Sequence, residues 1–524
     1  MSELSFNLAD KPWITCADDS STRLMGIRDL LVQAHELREI RHQNPLTVAA
    51  LLRVLLAAVH RIVGGPRNHP EWIALYKTGR FPQEKIDAYF DIWQPKFDLF
   101  SDETPFYQTP GLKMVDQDHN PKEPVSISLM MVERASGNNK TLFDHTTDDT
   151  SVYLTPAEAA QVAITAQMFS LGGLYKKNTN FFGYHERWEN AAMVDGIFIA
   201  LTGNSLFETL MLNLLIYNDD QPIPNASEDC PVWERNDRGR AISKRGQAIT
   251  PKGYLDYLTC KCRHLLLVPK QKDGAVVVGQ VHAAPGEIFI NFPHPSFMSK
   301  TGKKGTWHPP LDVDRLLWRD STALFAFDTG NDNRPMAFRQ VSNIKKGVVS
   351  RPSRYVCMAI ALAHKDANPL VWRKESLNVP VALLEDAEKT PLLIEGMKRA
   401  EEVEKILRTS VETFLKAYMQ SAYPNKPREA KKKIESTGAM RVFWDRLERH
   451  FHEFLTEIEQ GDKSLYAWYA NIASTARLAL ESCVRQRYAD SARSLKAWTA
   501  AGDGLNRSLK ALKTNEGGGT SEQK

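Results

Sequence analysis

From residue 390 to about 509 the chain repeats one pattern four times, with apolar residues returning every three or four positions. The first run starts at Thr390-Pro391 and aligns Leu393, Met397, Val403, Leu407, Val411, Phe414 and Tyr418. The second aligns Met440, Phe443, Leu447, Phe451, Phe454 and Ile458, and the third Leu465, Trp468, Ile472, Ala476 and Leu480. The fourth aligns Ala492, Leu495, Trp498, Leu505 and Leu509, with Gly502 and Gly504 as a weak point. A helix brings such residues to one face, and four amphipathic helices with short connections bury their stripes against each other. The expectation is a C-terminal four-helix bundle over residues 381–513. The tail 514–524, TNEGGGTSEQK, is too polar and glycine-rich to order itself.

Upstream, helix and strand signals mix, so the expected fold class is α+β: a large mixed N-terminal domain over residues 1–380, then the bundle. Residues 45–63 are apolar on most sides and read as a buried helix with Pro45 in its first turn. Phe97 to Leu112 is aromatic and proline-broken, an ordered loop packed on a core. Residues 134–151 read as a long polar loop. Thr155-Pro156 is a cap followed by proline at N1, opening a helix that runs to about Ser170. Another helix is expected from Asn204 to Leu215. Strand signals dominate between about 254 and 330, and 353–363 reads as a helix broken by HKDANP.

The 524 residues are 42% hydrophobic and 25% charged, with a net charge of +4. So mild a charge confines any nucleic-acid surface to a local patch or a shared one. No unbroken run of about 18 apolar residues suggests a membrane span, and MSELSFNLADKPWITC has neither the basic start nor the apolar core of a secretory signal. Six scattered cysteines fit a reducing cytoplasm. The phosphate-loop, dinucleotide, nucleophile-elbow and zinc-protease motifs are missing, which lowers the case for an enzyme.

Four short stretches could carry chemistry. Cys260, Cys262 and His264 alternate, but on a strand such residues stand about 6.6 Å apart, too far to share one tetrahedral zinc; a half-buried strand is the better reading. Asp144, His145, Asp148 and Asp149 crowd a polar loop with nothing to hold a metal rigidly, so no metal and no cofactor are expected. Phe143 beside them either anchors the loop or stacks on a ligand. In LGGLYKK, Gly172 and Gly173 either end a helix or let backbone N–H groups approach a phosphate or base edge. HKDANP is either a plain turn or a device presenting Asn368.

In their order along the chain, these pieces resemble the CasA family, the large subunit of the type I-E CRISPR surveillance complex (Cascade). The similarity is carried by FNLADKPWI at the start, FDLFSDETPFYQTPGL, GNSLFETLMLNLL, CPVWE, FPHPS at 292–296, LLWRDSTALF at 316–325 and the four closing helices. The resemblance implies a non-catalytic protein that reads the protospacer-adjacent motif (PAM) on double-stranded target DNA from the minor groove. It also implies that the protein helps to open the duplex for guide pairing and recruits a helicase-nuclease. The implied partners are guide RNA and the backbone, small, 5′-end and 3′-end subunits, with no membrane.

By the same resemblance, Gly172 and Gly173 fall on the family's glycine-rich loop against the PAM duplex. Lys176 and Lys177, which follow it directly, are expected as phosphate partners from their place beside that loop, not from a family motif. Asp366, Ala367, Asn368 and Pro369 fall on its wedge, an amide-rich hairpin tip in which Asn368 is here the amide. Phe143, Asp144 and His145 fall on the loop that docks near the 5′ end of the guide RNA. One departure matters: a lysine that relatives place before the P-H-P segment has no counterpart in HAAPGE, residues 282–287. The rival readings are a helical scaffold without direct DNA reading and a nuclease built on the Asp/His loop.

Overall fold

A computed structural model describes residues 4–115, 120–133, 152–175, 186–218, 222–223, 229–235, 247–289, 294–303, 305–325, 334–344, 352–365, 367–386, 388–419, 427–488 and 492–517. The chain divides into two compact units, Met1–Leu317 with Asn333–Val381 and Trp318–Asp332 with Ala382–Lys524. The fold is mixed helix and strand, with a helical C-terminal region, as the sequence implies.

The first unit is organised around the helix Pro45–Val63. The Asn44 side chain caps it by accepting from Leu46 N–H, Pro45 occupies its first turn and Gly64 ends it in the left-handed region. By length and composition this helix could cross a bilayer, but 89% of that stretch is buried. It packs against the helices Pro156–Phe169, Leu206–Asn213, Gln83–Trp93 and Tyr254–Leu258. Two of the motifs that carry the resemblance meet beside it. Phe97 and Phe106 stack at 5.0 Å and Phe106 and Trp233 at 5.4 Å, while Trp233 Nε1–H donates to Tyr89 Oη at 2.8 Å. These residues are core.

Two antiparallel hairpins dominate the strands. One pairs Arg263–Lys272 with Ala275–Pro285, and Val125–Ser126 adds to its edge. The other pairs Arg354–Lys365 with Asn368–Pro380, and Phe198–Thr202 lies on the opposite side of Arg354–Lys365. The helix expected over 353–363 is therefore the middle strand of a three-stranded sheet. An almost wholly apolar run such as YVCMAIALA has no periodicity to separate a strand buried on both faces from a buried helix. The strand-rich reading of 254–330 also needs correcting at its ends, because Tyr254–Leu258 and Ser321–Phe325 are helices.

In the second unit the four expected helices are Thr390–Met419, Ala439–Gln460, Tyr466–Leu480 and Ala492–Gly517, with an additional short helix Pro427–Ser436 between the first two. The fourth stripe differs from expectation. Leu495 is 63% exposed, and Ser494, Ala497, Ala501, Leu505 and Leu509 turn inward. Alanines there let this helix lie close to Thr390–Met419, its main neighbour. The helix runs unbroken through Gly502 and Gly504 and continues to Gly517, past the boundary expected at 513. Residues 318–332, assigned by sequence to the N-terminal domain, belong to this unit. Trp318 is the reason: it is buried, 5.5 Å from Trp444 and 4.9 Å from Phe451 between ring centroids.

Candidate nucleic-acid interface

The helix Pro156–Phe169 leads into the glycine pair. A capping box opens it, with the Thr155 side chain accepting from Glu158 N–H and the Glu158 carboxylate accepting from Thr155 N–H. It ends at Phe169, and its C-cap Ser170 is already extended. Gly172 and Gly173 lie beyond the cap, so they do not terminate the helix. Gly173 starts a short strand, Gly173–Tyr175, paired antiparallel to Glu186–Trp188.

The two glycines have different reasons to be glycine. A Cβ at Gly172 would stand 2.6 Å from Trp188 O and 2.9 Å from Asn190 N, a collision with backbone. The fold itself therefore requires glycine at Gly172. Gly173 has a φ of +155°, and a Cβ there would meet Ala367 Cβ at 3.0 Å. Ala367 is in the turn of the hairpin Arg354–Lys365/Asn368–Pro380. The two segments singled out for DNA contact are therefore neighbours.

Polar contacts bind them further. Gly172 N–H donates to Asn190 Oδ1 at 2.7 Å, and Asn190 Nδ2–H donates to Asp195 Oδ1 and Oδ2 at 2.9 and 3.1 Å. His364 Nε2, on the hairpin, reaches Asp195 Oδ1 at 3.3 Å. A carboxylate can only accept, so each of these neighbours donates to it. Asp195 is consequently the joint between loop and hairpin.

Beneath the loop lies Arg263, 2% exposed. Its Nη2 donates to the carbonyls of Ser170 and Leu171, both at 3.2 Å, and of Glu189 at 2.8 Å, while the guanidinium sits 5.3 Å from the Trp188 ring centroid. Gln167, fully buried in the last helical turn, exchanges hydrogen bonds with the Arg263 backbone, both at 2.8 Å. A planar cation with several fixed donors can hold several carbonyls together in this way. Sequence reasoning missed Asn190, Asp195, Arg263 and His364, and nothing in their local sequence marks them.

At the hairpin end, Lys365 pairs with Asn368 and His364 with Pro369. Pro369 is tolerated because Asn368–Pro380 is an edge strand. Asn368 is half-buried and Lys365 exposed. Lys176, Lys177, Asp366, Phe143, Asp144 and His145 lie outside the described residues.

The alternating cysteines also differ from expectation. The strand starts only at Arg263, and Cys260 and Cys262, in the irregular segment before it, bring their sulfurs within 3.4 Å. His264 turns to Thr109, its Nδ1 lying 2.9 Å from Thr109 Oγ1. Among the described residues no three His, Cys, Asp or Glu side chains gather as a metal site.

Comparisons with known proteins agree over almost the whole length. A curated CRISPR-associated protein CasA/Cse1 from Thermus thermophilus is 28% identical over 503 residues, covering 94% of this chain and 95% of that protein. The crystal structure of Thermus thermophilus CasA superposes with a TM-score of 0.79 at 24% identity, covering 97% of this chain and all of the other. A chain in a structure described as a CRISPR RNA-guided surveillance complex gives 0.75 at 21% identity, covering 96% and 99%. These likenesses show the fold. The sequence model of the CRISPR-associated protein Cse1 family matches residues 7–483, and the chain belongs to that family.

Proposed function

We propose that this chain is the non-catalytic large subunit of an RNA-guided DNA surveillance complex, that it reads a PAM on duplex DNA from the minor groove, and that it wedges the duplex open for guide pairing. The observation that carries the reading is the 3.0 Å approach between a Cβ at Gly173 and Ala367, which joins glycine loop and hairpin tip into one narrow edge. Such an edge suits the minor groove, where close backbone approach reads a degenerate code. Asn368 and Lys365 flank the tip and supply an amide and a cation to base edges and phosphate.

In this reading guide RNA and the other subunits supply the remaining surface, base pairing reads the rest of the target, and the helicase-nuclease is recruited after opening. The complex works in the cytoplasm. The name of the surveillance-complex structure with the same fold supports the assembly.

The test is a gel-shift titration of the guide-RNA complex, with and without this chain, against one matched duplex carrying a library of flanking trinucleotides. Tight binding should require both the chain and particular flanks, and Asn368→Ala should flatten the flank preference. Binding indifferent to the flank would overturn the reading and return the chain to a scaffold role.

A further inference from the structure

A second feature lies far from the reading edge. The strand Arg263–Lys272 carries Arg263 at one end and Lys272 at the other, about 30 Å apart at roughly 3.3 Å per residue. At the far end Asp273 and Gly274, with φ of 51° and 79°, make the tight turn of a hairpin. Lys270 and Lys272 project from the same face of the strand, two residues apart.

Both lysines converge on Tyr153. Lys270 Nζ lies 4.2 Å and Lys272 Nζ 3.9 Å from the ring centroid, and Lys270 Nζ–H donates to Tyr153 Oη at 3.1 Å. The backbone fixes the seat of the ring. Leu154 exchanges two backbone hydrogen bonds with Val278, at 2.9 and 2.8 Å, and pins the segment to the hairpin. The partner strand shifts register between Val278 and Gln280, and a Cβ at the intervening Gly279 would stand 3.0 Å from the Tyr153 ring. The bulge and the missing side chain make the seat.

Both ammonium groups are exposed, and among the described residues neither forms an ion pair, while Tyr153 itself is 37% exposed. Two unneutralised cations held together repel each other, and an anion placed against both relieves that repulsion. A protein partner would want a contiguous apolar core, and this knuckle offers a single ring. A phosphodiester strand wants what is present: positive charge for its backbone and an aromatic edge for an unpaired base. A duplex hides the faces of its bases, so a single strand fits better.

We infer that Lys270, Lys272 and Tyr153 form a contact for single-stranded RNA, separate from the PAM-reading edge. Only the choice of RNA rests on the function proposed above, because guide RNA is the single strand that such a complex always holds. The lysines neutralise backbone phosphates, and Tyr153 holds them in place while its exposed edge packs against an unpaired base.

The test is fluorescence anisotropy of the full chain with an unstructured labelled oligouridine across a salt series, with single-stranded DNA and a duplex as parallel arms. Two phosphate contacts on a single strand contribute about 1.4 to the slope of log affinity against log salt. K270A/K272A should therefore lower RNA affinity roughly tenfold and flatten the slope by about that amount, and K270R/K272R should preserve both. Tyr153→Leu should lower affinity and leave the slope in place. Unchanged RNA affinity and slope in K270A/K272A would overturn the proposal, as would a loss confined to single-stranded DNA or to the duplex, the latter with a slope change of about 1.8. If RNA binding depends on the lysines while the complex ignores the PAM, the reading of duplex DNA fails and this contact stands.

Discussion

Gly173 and Ala367, distant in sequence, face each other closely enough that a Cβ on the first would press on the Cβ of the second at 3.0 Å. Contact this tight makes the glycine loop and the hairpin tip a single element. Gly173→Ala should therefore act on the tip as well as on its own backbone. The strain at its positive φ should cost on the order of 1 kcal/mol, and PAM-dependent binding by the guide-RNA complex should fall severalfold. Adding Ala367→Gly removes the methyl it presses against and should recover part of the binding. Gel-shift titration of the two single variants and the double variant measures that coupling.

Asp195 offers a cleaner separation of reading from folding. Its carboxylate is 66% exposed, so its contact with His364 should contribute less than about 1 kcal/mol to stability. Asp195→Ala nevertheless cuts the joint between Asn190 and His364. The expected outcome is an unchanged melting temperature with a weakened flank preference. A variant that melts normally and reads the flank normally would remove Asp195 from the account.

Arg263 should behave in the opposite way. Arg263→Met fills similar space but leaves the carbonyls of Ser170, Leu171 and Glu189 without their donor. A loss on the order of 3 kcal/mol is expected in denaturant unfolding, together with faster proteolysis near residues 170–190. Arg263→Lys should rescue little, since an ammonium cannot present the guanidinium's fixed fork of donors.

Acid should destabilise the first unit through buried histidines. Burial pushes His60 and His294 down to about 3 and His264 to about 4, from the ordinary 6.5. Each is held neutral in the fold, while the unfolded chain takes up its proton below 6.5. Their contribution is therefore complete above pH 6.5 and is lost as pH falls through that value toward 4 and then 3. At about 1.4 kcal/mol per pKa unit the loss reaches a few kcal/mol for each fully buried ring. Denaturant melts at pH 7, 5.5 and 4.5 should show it. His60→Phe should reduce the slope, since among the described residues the His60 ring nitrogens have no hydrogen-bond partner to lose.

What the sequence could reveal follows from where the determinants are local. Thr155, Pro156 and Glu158 specify a helix start among themselves, and the stripe from Leu393 to Phe414 needs only helical spacing to be recognised. Residues 353–363 defeated such reading because their apolarity comes from a sheet covered on both faces. Leu495 was assigned inward because it is large and apolar, whereas close helix packing chose Ala497 and Ala501. Resemblance singled out Gly173 and Ala367 separately, and only the folded chain brings the two together. Arg263 and Asp195 act on groups far away in sequence, so only the folded chain reveals them.

The most direct test attaches a short photo-crosslinker through Ala367→Cys in the assembled guide-RNA complex and maps its adducts on a matched duplex. The account predicts crosslinks to the base pairs flanking the target, through the minor groove, which disappear when the flank is replaced by a non-permissive one. Adducts scattered along the duplex, or none at all while the complex still discriminates flanks, would contradict it.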